Sequence, residues 1–406
     1  MDGPLSDLRV VEYAHFISGP YCAKLLADWG AEVIKVEPPK TGEESRRKEP
    51  FLRDVPHSER SGLFLYLNTN KIGVTLNVTS PTGAQIFREL MKWADIVVVN
   101  GQPKALKKMG LDYESLQAVN EKLIVTSITP FGQTGPYRDY KATDLVTCHM
   151  GGLGYGTGGP VKEPEREPPL RVGGHQAHFL AGLTGAVATM HAVFARQMSE
   201  VGQHVDISEQ EAMAAMMFLN VAQYAYENKI PTRLKIPGRP ATSGARLIRC
   251  KDGYFTVLVA EDRQWESLVE LMGNPEWAKN ELFQSRETRR EHWDSIASSI
   301  EEWALGYSKE EIYRAAQAKR IPVYPTNNME DLFKSGQLAA REFFVDIDHP
   351  ETGIILYPST ACKFSETSWR VTRPAPLLGQ DNEDVFCGRL GYSKQDLLKM
   401  SQAGVI

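Results

Sequence analysis

The chain has 406 residues, enough for a large core and two domains, and its 42% hydrophobic and 24% charged content is that of a globular protein. With 46 basic against 51 acidic residues the formal charge is −5, which argues against a general nucleic-acid binder. The five cysteines (Cys22, Cys148, Cys250, Cys362 and Cys387) are odd in number, widely spaced and never in a C-x-x-C pair. They form neither a disulfide framework nor a zinc motif, and they fit a reducing cytoplasm. The first residues carry no basic, apolar leader pattern. The longest apolar stretch, Ala181 to Ala195, is interrupted by Thr184, Thr189 and His191 and reads as a buried core helix rather than a membrane span. The expectation is a cytoplasmic protein with neither membrane nor nucleic acid among its partners.

In chain order, Leu8 to Tyr13 reads as a buried strand. A helix opening near Gly19-Pro20 runs to about Trp29, with Gly30 closing it, and Glu32 to Glu37 is a second strand. Strand, helix and strand within some thirty residues predict a parallel βαβ unit. The rhythm continues with a strand at Gly73 to Asn77 and a helix from Ser80 to Ala94, capped by Ser80. Further strands are expected at Asp95 to Asn100 and Leu123 to Thr129. This predicts an α/β fold with a Rossmann-like, doubly wound parallel sheet. The Pro/Glu/Gly-rich stretch from Gly151 to Pro169 reads as a long loop or lid, followed by a helix from about His175 to Arg196. A linker-like stretch, Asn228 to Gly244, opens a smaller second domain with a strand at Tyr254 to Ala260, a helix from Glu261 and helices over Ser298 to Lys319. A strand at Ile321 to Tyr324, a helix from Met329 to Phe344 and a hairpin turning at His349 to Gly353 follow. The expected division is 1–227 for the large domain, 228–330 for the small one, and 331–406 returning to the large domain.

Several segments, in order, carry a resemblance. They include Val11 to Pro20 (VEYAHFISGP), Leu26 to Glu37 (LADWGAEVIKVE), Asn68 to Lys71 and Lys108-Met109-Gly110. Phe131 to Tyr137 (FGQTGPY), Arg171 to Leu183 (RVGGHQAHFLAGL), Ala340 to Phe344 and Pro374 to Gly379 complete the set. Together they resemble the class III CoA-transferases, of the formyl-CoA transferase and carnitine CoA-transferase type, over nearly the whole chain. The resemblance implies two chains interlocked like links. It also implies a CoA ester as substrate rather than as a tightly bound cofactor, held near the start of the first helix. The residues it places against CoA are His15, Phe16, Ile17, Ser18, Lys71, Asn100, Lys108, Met109, Phe131 and Gln133. Lys104 and Lys107 are weaker candidates for the phosphates.

The resemblance also marks a departure. The family carries a nucleophilic aspartate in a pattern like D-x-x-x-G-L, and this chain has His178 there. Imidazole attacks a thioester, but it has no oxygen to hand over and no carbonyl on which to store CoA. No Asp or Glu lies between Arg171 and Ser199; Asp144, Glu163, Glu165 and Glu167 lie earlier, at positions the sequence does not place. No catalytic residue of the family type is therefore predicted. His175 and His178 are three apart, but no further ligands accompany them, so no metal is predicted. Gly154 to Gly159 fits G-x-G-x-x-G formally, yet it neither follows a strand nor opens a helix, which excludes a dinucleotide site.

Three readings follow. One is the subunit of a heteromeric class III CoA-transferase whose homologous partner supplies the aspartate. The family includes such pairings, the transferase between succinyl-CoA and benzylsuccinate among them, and this chain resembles the subunit that lacks the aspartate. A second is a racemase-like enzyme using His178 as a base. The third is a CoA-ester-binding protein without turnover.

Overall fold

The computed structural model describes residues 3–157, 161, 163, 165–230, 233, 246–259 and 261–406. They fall into two compact units. The larger comprises Met1–Thr157, Leu170–Ile230 and Glu342–Ile406; the smaller comprises Gly158–Pro169 and Pro231–Arg341.

The larger unit is built on a six-stranded parallel sheet: β1 (Arg9–Tyr13), β2 (Glu32–Glu37), β3 (Lys71–Thr75), β4 (Ile96–Val99), β5 (Ile124–Thr129) and β6 (His204–Ser208). The spatial order is β3-β2-β1-β4-β5-β6, so the order reverses beside β1, where a doubly wound sheet opens its ligand crevice. The central strands place apolar residues on both faces because both faces are covered. Val10, Val11, Val33, Ile34, Val97 and Val98 are fully buried. Helix α1 (Ser18–Ala27) packs on one face and α3 (Pro81–Trp93) on the other, while α2 (Gly62–Leu67) lies between β2 and β3 in sequence. Ser80 caps α3, its hydroxyl accepting from the Gly83 amide at 3.0 Å.

A second layer of helices positions the site. Helix α4 (Asp144–Met150) precedes the long α5 (Gln176–Ser199), and β6 runs directly into α6 (Glu209–Met216) and α7 (Phe218–Glu227). Helix α5 lies along α1, and Gly182 is what allows it. A Cβ there would sit 2.6 Å from the Ser18 carbonyl oxygen. The expected strand at 73–77 begins two residues earlier. Lys71 is a strand residue because its charge is neutralised internally by Glu12, at 2.7 Å. Strand β6 was not anticipated, since His204 and Asp206 break its apolar pattern. The expected helix over 329–344 is two short turns, Met329–Phe333 and Gly336–Ala340. Ser335 caps the second of them, and Phe344 already belongs to the hairpin β10 (Phe344–His349) and β11 (Gly353–Pro358).

The smaller unit has a three-stranded antiparallel sheet, β7 (Arg246–Cys250), β8 (Gly253–Val257) and β9 (Val323–Thr326), in the order β7-β8-β9. Helices α8 (Asp262–Leu271), α9 (Trp293–Ala304) and α10 (Lys309–Ala318) bury Trp265, Leu268, Ile300 and Ile312 with Ile248 and Phe255 in a core of their own. The expected linker falls largely outside the described residues, at 231–232 and 234–245. The second half of the glycine run, 158–160, lies outside them as well.

Candidate functional site

The loop that leaves β1 is held in one shape by one side-chain amide and one carboxylate. Asn100, just past the end of β4, accepts from the His15 amide at 3.0 Å and donates to the His15 carbonyl at 2.7 Å. Its amide nitrogen also approaches the Ser18 hydroxyl at 3.5 Å. The Glu43 carboxylate accepts from the Phe16 amide at 2.9 Å and fixes Phe16 at φ 65°, a left-handed conformation that a bulky residue seldom takes. Asn100 thus braces the loop, in which His15 is exposed and Phe16 half-buried, whereas the predicted CoA contacts Ile17 and Ser18 are buried.

Phe16 meets two histidines edge-on. Its ring lies 5.1 Å from that of His175 and 5.4 Å from that of His178, centroid to centroid. Both belong to the start of α5. His175 is the residue before the first turn, in left-handed conformation at φ 54°, and offers the helix no side-chain cap. The cap comes from a distance. One oxygen of the Asp144 carboxylate, on α4, accepts from the Ala177 amide at 2.9 Å and the His178 amide at 3.4 Å.

His178 is buried, with 10% of its side chain exposed, and its Nδ1 lies 2.9 Å from Oε1 of Glu209 on α6. Burial disfavours the charged imidazole. The hydrogen bond and charge of Glu209, with the more distant charges of Asp144 and Glu44, more than reverse this, so the His178 pKa is raised above the ordinary histidine value. The other Glu209 oxygen, Oε2, is buried without a hydrogen-bond partner among the described residues. His175 moves the other way: burial lowers its pKa, with the Asp144 charge opposing.

Beside this cluster a cavity of about 800 Å³ opens within the larger unit. Its walls are largely apolar and aromatic, with Phe16, Tyr66, His175, Phe179 and Tyr357, and two cations, Arg47 and Lys48, line it. The Lys48 ammonium sits 5.6 Å from the Phe16 ring and 2.8 Å from the exposed Glu44 carboxylate. Arg47 donates to the Thr41 carbonyl at 2.6 Å.

The remaining predicted residues divide. Lys71 is corrected: it is fully buried, with Nζ 2.7 Å from Glu12 and donating to the Pro20 carbonyl at 2.8 Å and the Asn68 side chain at 2.9 Å. An ammonium so occupied has no donor to offer a phosphate. Lys104, Lys107 and Lys108 are exposed on the short helix Pro103–Met109, and Met109 packs against the core. Phe131 and Gln133 follow β5. There the Gln133 amide donates to the Asp206 carboxylate at 3.0 Å, and the Gln133 side-chain nitrogen is buried without a described partner. Glu163, Glu165 and Glu167 are exposed and belong to the smaller unit. Sequence reading left Asp144 unplaced and missed Glu209. The faint signal for Glu209 was an acid directly after a strand and first in a helix, opening Ser208-Glu209-Gln210-Glu211. Its partner lies 31 residues away, a distance no local pattern spans. Among the described residues no cluster of three metal-ligating side chains is present.

A crevice at the switch point of a doubly wound sheet, a braced loop and an aromatic cavity define an α/β protein suited to a large thioester ligand. Comparison with known proteins agrees. The profile of CoA-transferase family III matches residues 5–382, and the chain belongs to that family. It is 31% identical to succinate–glutarate CoA-transferase of Agrobacterium fabrum, over 94% of this chain and 95% of that one. It is 33% identical to subunit BbsE of succinyl-CoA:(R)-benzylsuccinate CoA-transferase of Thauera aromatica, over 98% of each. The crystal structure of a CAIB/BAIF family protein from Brucella suis superposes with a TM-score of 0.86, at 28% identity, over 96% of this chain and all of that one.

Proposed function

We propose that this chain is the subunit of a heteromeric class III CoA-transferase that binds acyl-CoA but does not supply the nucleophile. A homologous partner provides the aspartate, and CoA moves from a dicarboxylic donor of the succinyl-CoA kind to a carboxylic acid such as benzylsuccinate. One observation carries this reading: the state of the carboxylates around His178. Asp144 spends its near oxygen on two helix amides, and Glu209 holds one oxygen on His178 and buries the other. Glu44 is exposed and paired with Lys48. None stands at position 178, from which the family attacks; each reaches the site from another element. His178 itself cannot carry the exchange, because the acid released from the family's anhydride leaves with an oxygen from the enzyme.

Exposed apolar side chains on two helices support a partner chain. On α5, Leu183, Val187, Phe194 and Met198 recur at helical spacing and are 45–75% exposed. On α7 no residue is buried, and Phe218, Leu219 and Tyr226 stand out at 65%, 68% and 89%. A monomer seldom exposes such side chains in groups. Helix α5 is also the one described helix long and apolar enough to cross a membrane, but half of its apolar window is buried inside the protein. The relatives named for succinate, glutarate and benzylsuccinate motivate the dicarboxylic donor.

The test is transfer from succinyl-CoA to a panel of carboxylic acids. It is run on the chain alone, on the chain co-expressed with a homologous subunit that carries the aspartate, and on that complex with the aspartate changed to alanine. Activity confined to the intact complex is expected. Full transfer by the chain alone would refute the reading.

A further inference from the structure

We propose that the His178–Glu209 pair is a general base that hydrolyses acyl-CoA thioesters at this chain's own site. The proposal goes beyond the subunit role and stands on separate geometry. Three features carry it. The pair is built for proton transfer: Nδ1 donates to Oε1 of Glu209 at 2.9 Å, which fixes the tautomer and leaves Nε2 as the base. No described residue bonds to Nε2, and the exposed tenth of the side chain gives it an outlet. Phe16 touches the His178 ring and belongs to the loop His15 to Ser18, so a thioester lying on that loop lies beside the imidazole.

Loss of the carboxylate ends exchange but not attack at the same carbonyl. A water between Nε2 and the thioester carbonyl gives one proton to Nε2 as its oxygen bonds to the carbonyl carbon. The tetrahedral adduct collapses, the C–S bond breaks, and the CoA thiolate takes that proton from the imidazolium. The acid released holds the water oxygen and gives its remaining proton to solvent. Glu209 stabilises the imidazolium through this cycle, as the third member of a nucleophilic triad orients its histidine. Its buried, unpartnered Oε2 leaves the carboxylate with no competing cation among the described residues.

The experiment follows thiol release from succinyl-CoA with no acceptor acid present. It uses the purified full chain and, in parallel, the complex whose partner aspartate is alanine, with His178→Asn and Glu209→Gln compared in each. Thiol release above the buffer rate is expected, falling about 10²–10⁴-fold in His178→Asn. Because the base must be neutral, the wild-type rate rises as pH passes the raised His178 pKa. Glu209→Gln moves that rise to lower pH and lowers the plateau, a shift that a merely structural role would not produce. In ¹⁸O-water one labelled oxygen enters the succinate. Release no faster than buffer, release indifferent to both substitutions, or α-proton exchange in deuterium oxide without thiol release would each overturn the proposal. None of these bears on whether the intact complex transfers CoA, so the two readings fail separately.

Discussion

Two groups of buried charges lie within the larger unit, and they are finished to different degrees. Behind the β1 loop, Glu12 gives one oxygen to Lys35 at 2.6 Å and the other to Lys71 at 2.7 Å. Arg46 forks onto Glu37 at 2.7 and 2.8 Å and reaches Glu59 at 2.5 Å. Burial raises the Glu12 carboxyl, yet the two ammoniums bring it below its ordinary value. Every charge there has an opposite within reach, and Glu12, Lys35, Lys71 and Arg46 have no exposed surface. The His178–Glu209 pair is incomplete by contrast: one carboxylate oxygen and one ring nitrogen are left over. A saturated network stabilises and specifies the fold, whereas leftover valence beside a cavity is where chemistry is done.

Breaking the saturated network has the largest expected effect. Glu12→Gln strands two buried ammoniums and should cost about 3–5 kcal/mol in chemical denaturation. Next comes Gly182→Ala, which pushes a methyl against the Ser18 carbonyl and should cost about 1–3 kcal/mol by the same measurement, while loosening the loop 15–18. Asp144→Ala removes the remote cap of α5 and should cost about 1–2 kcal/mol, read as a lowered thermal midpoint. The smallest effect sharpens the contrast by pH. The folded pKa of His178 is raised, so its pairing with Glu209 stabilises fully below the ordinary histidine value of about 6.5. That stability is lost as pH rises through the raised value. Thermal midpoints across this window should fall more steeply for wild type than for His178→Asn.

The sheet was legible because short segments rich in Val and Ile recur between helical patterns, and β2 (Glu32–Glu37) lies where the pattern put it. The loop from His15 to Ser18 was legible for the same reason, as the first turn of a βαβ unit. What escaped was everything decided across the chain. Lys71 looks like any surface lysine until Glu12, 59 positions earlier, is seen to face it. Strand β6 hides behind His204, which stacks on Tyr113 at 5.2 Å and bonds Ser127 at 3.0 Å, partnerships that let a polar residue sit in a strand. Position 178 was legible as a substitution, but its meaning was not. The meaning lies in Glu209 and Asp144, which reach it from two other helices.

The apolar side chains exposed on α5 and α7 have a consequence for the life of the chain wherever they stay uncovered. Side chains as exposed as Met198 at 75% and Tyr226 at 89% are what chaperones and aggregating neighbours recognise. A copy that finishes synthesis with nothing to cover them should be short-lived. Its abundance in the cell should therefore track that of whatever covers it, and producing it in excess should yield inclusion bodies rather than more protein.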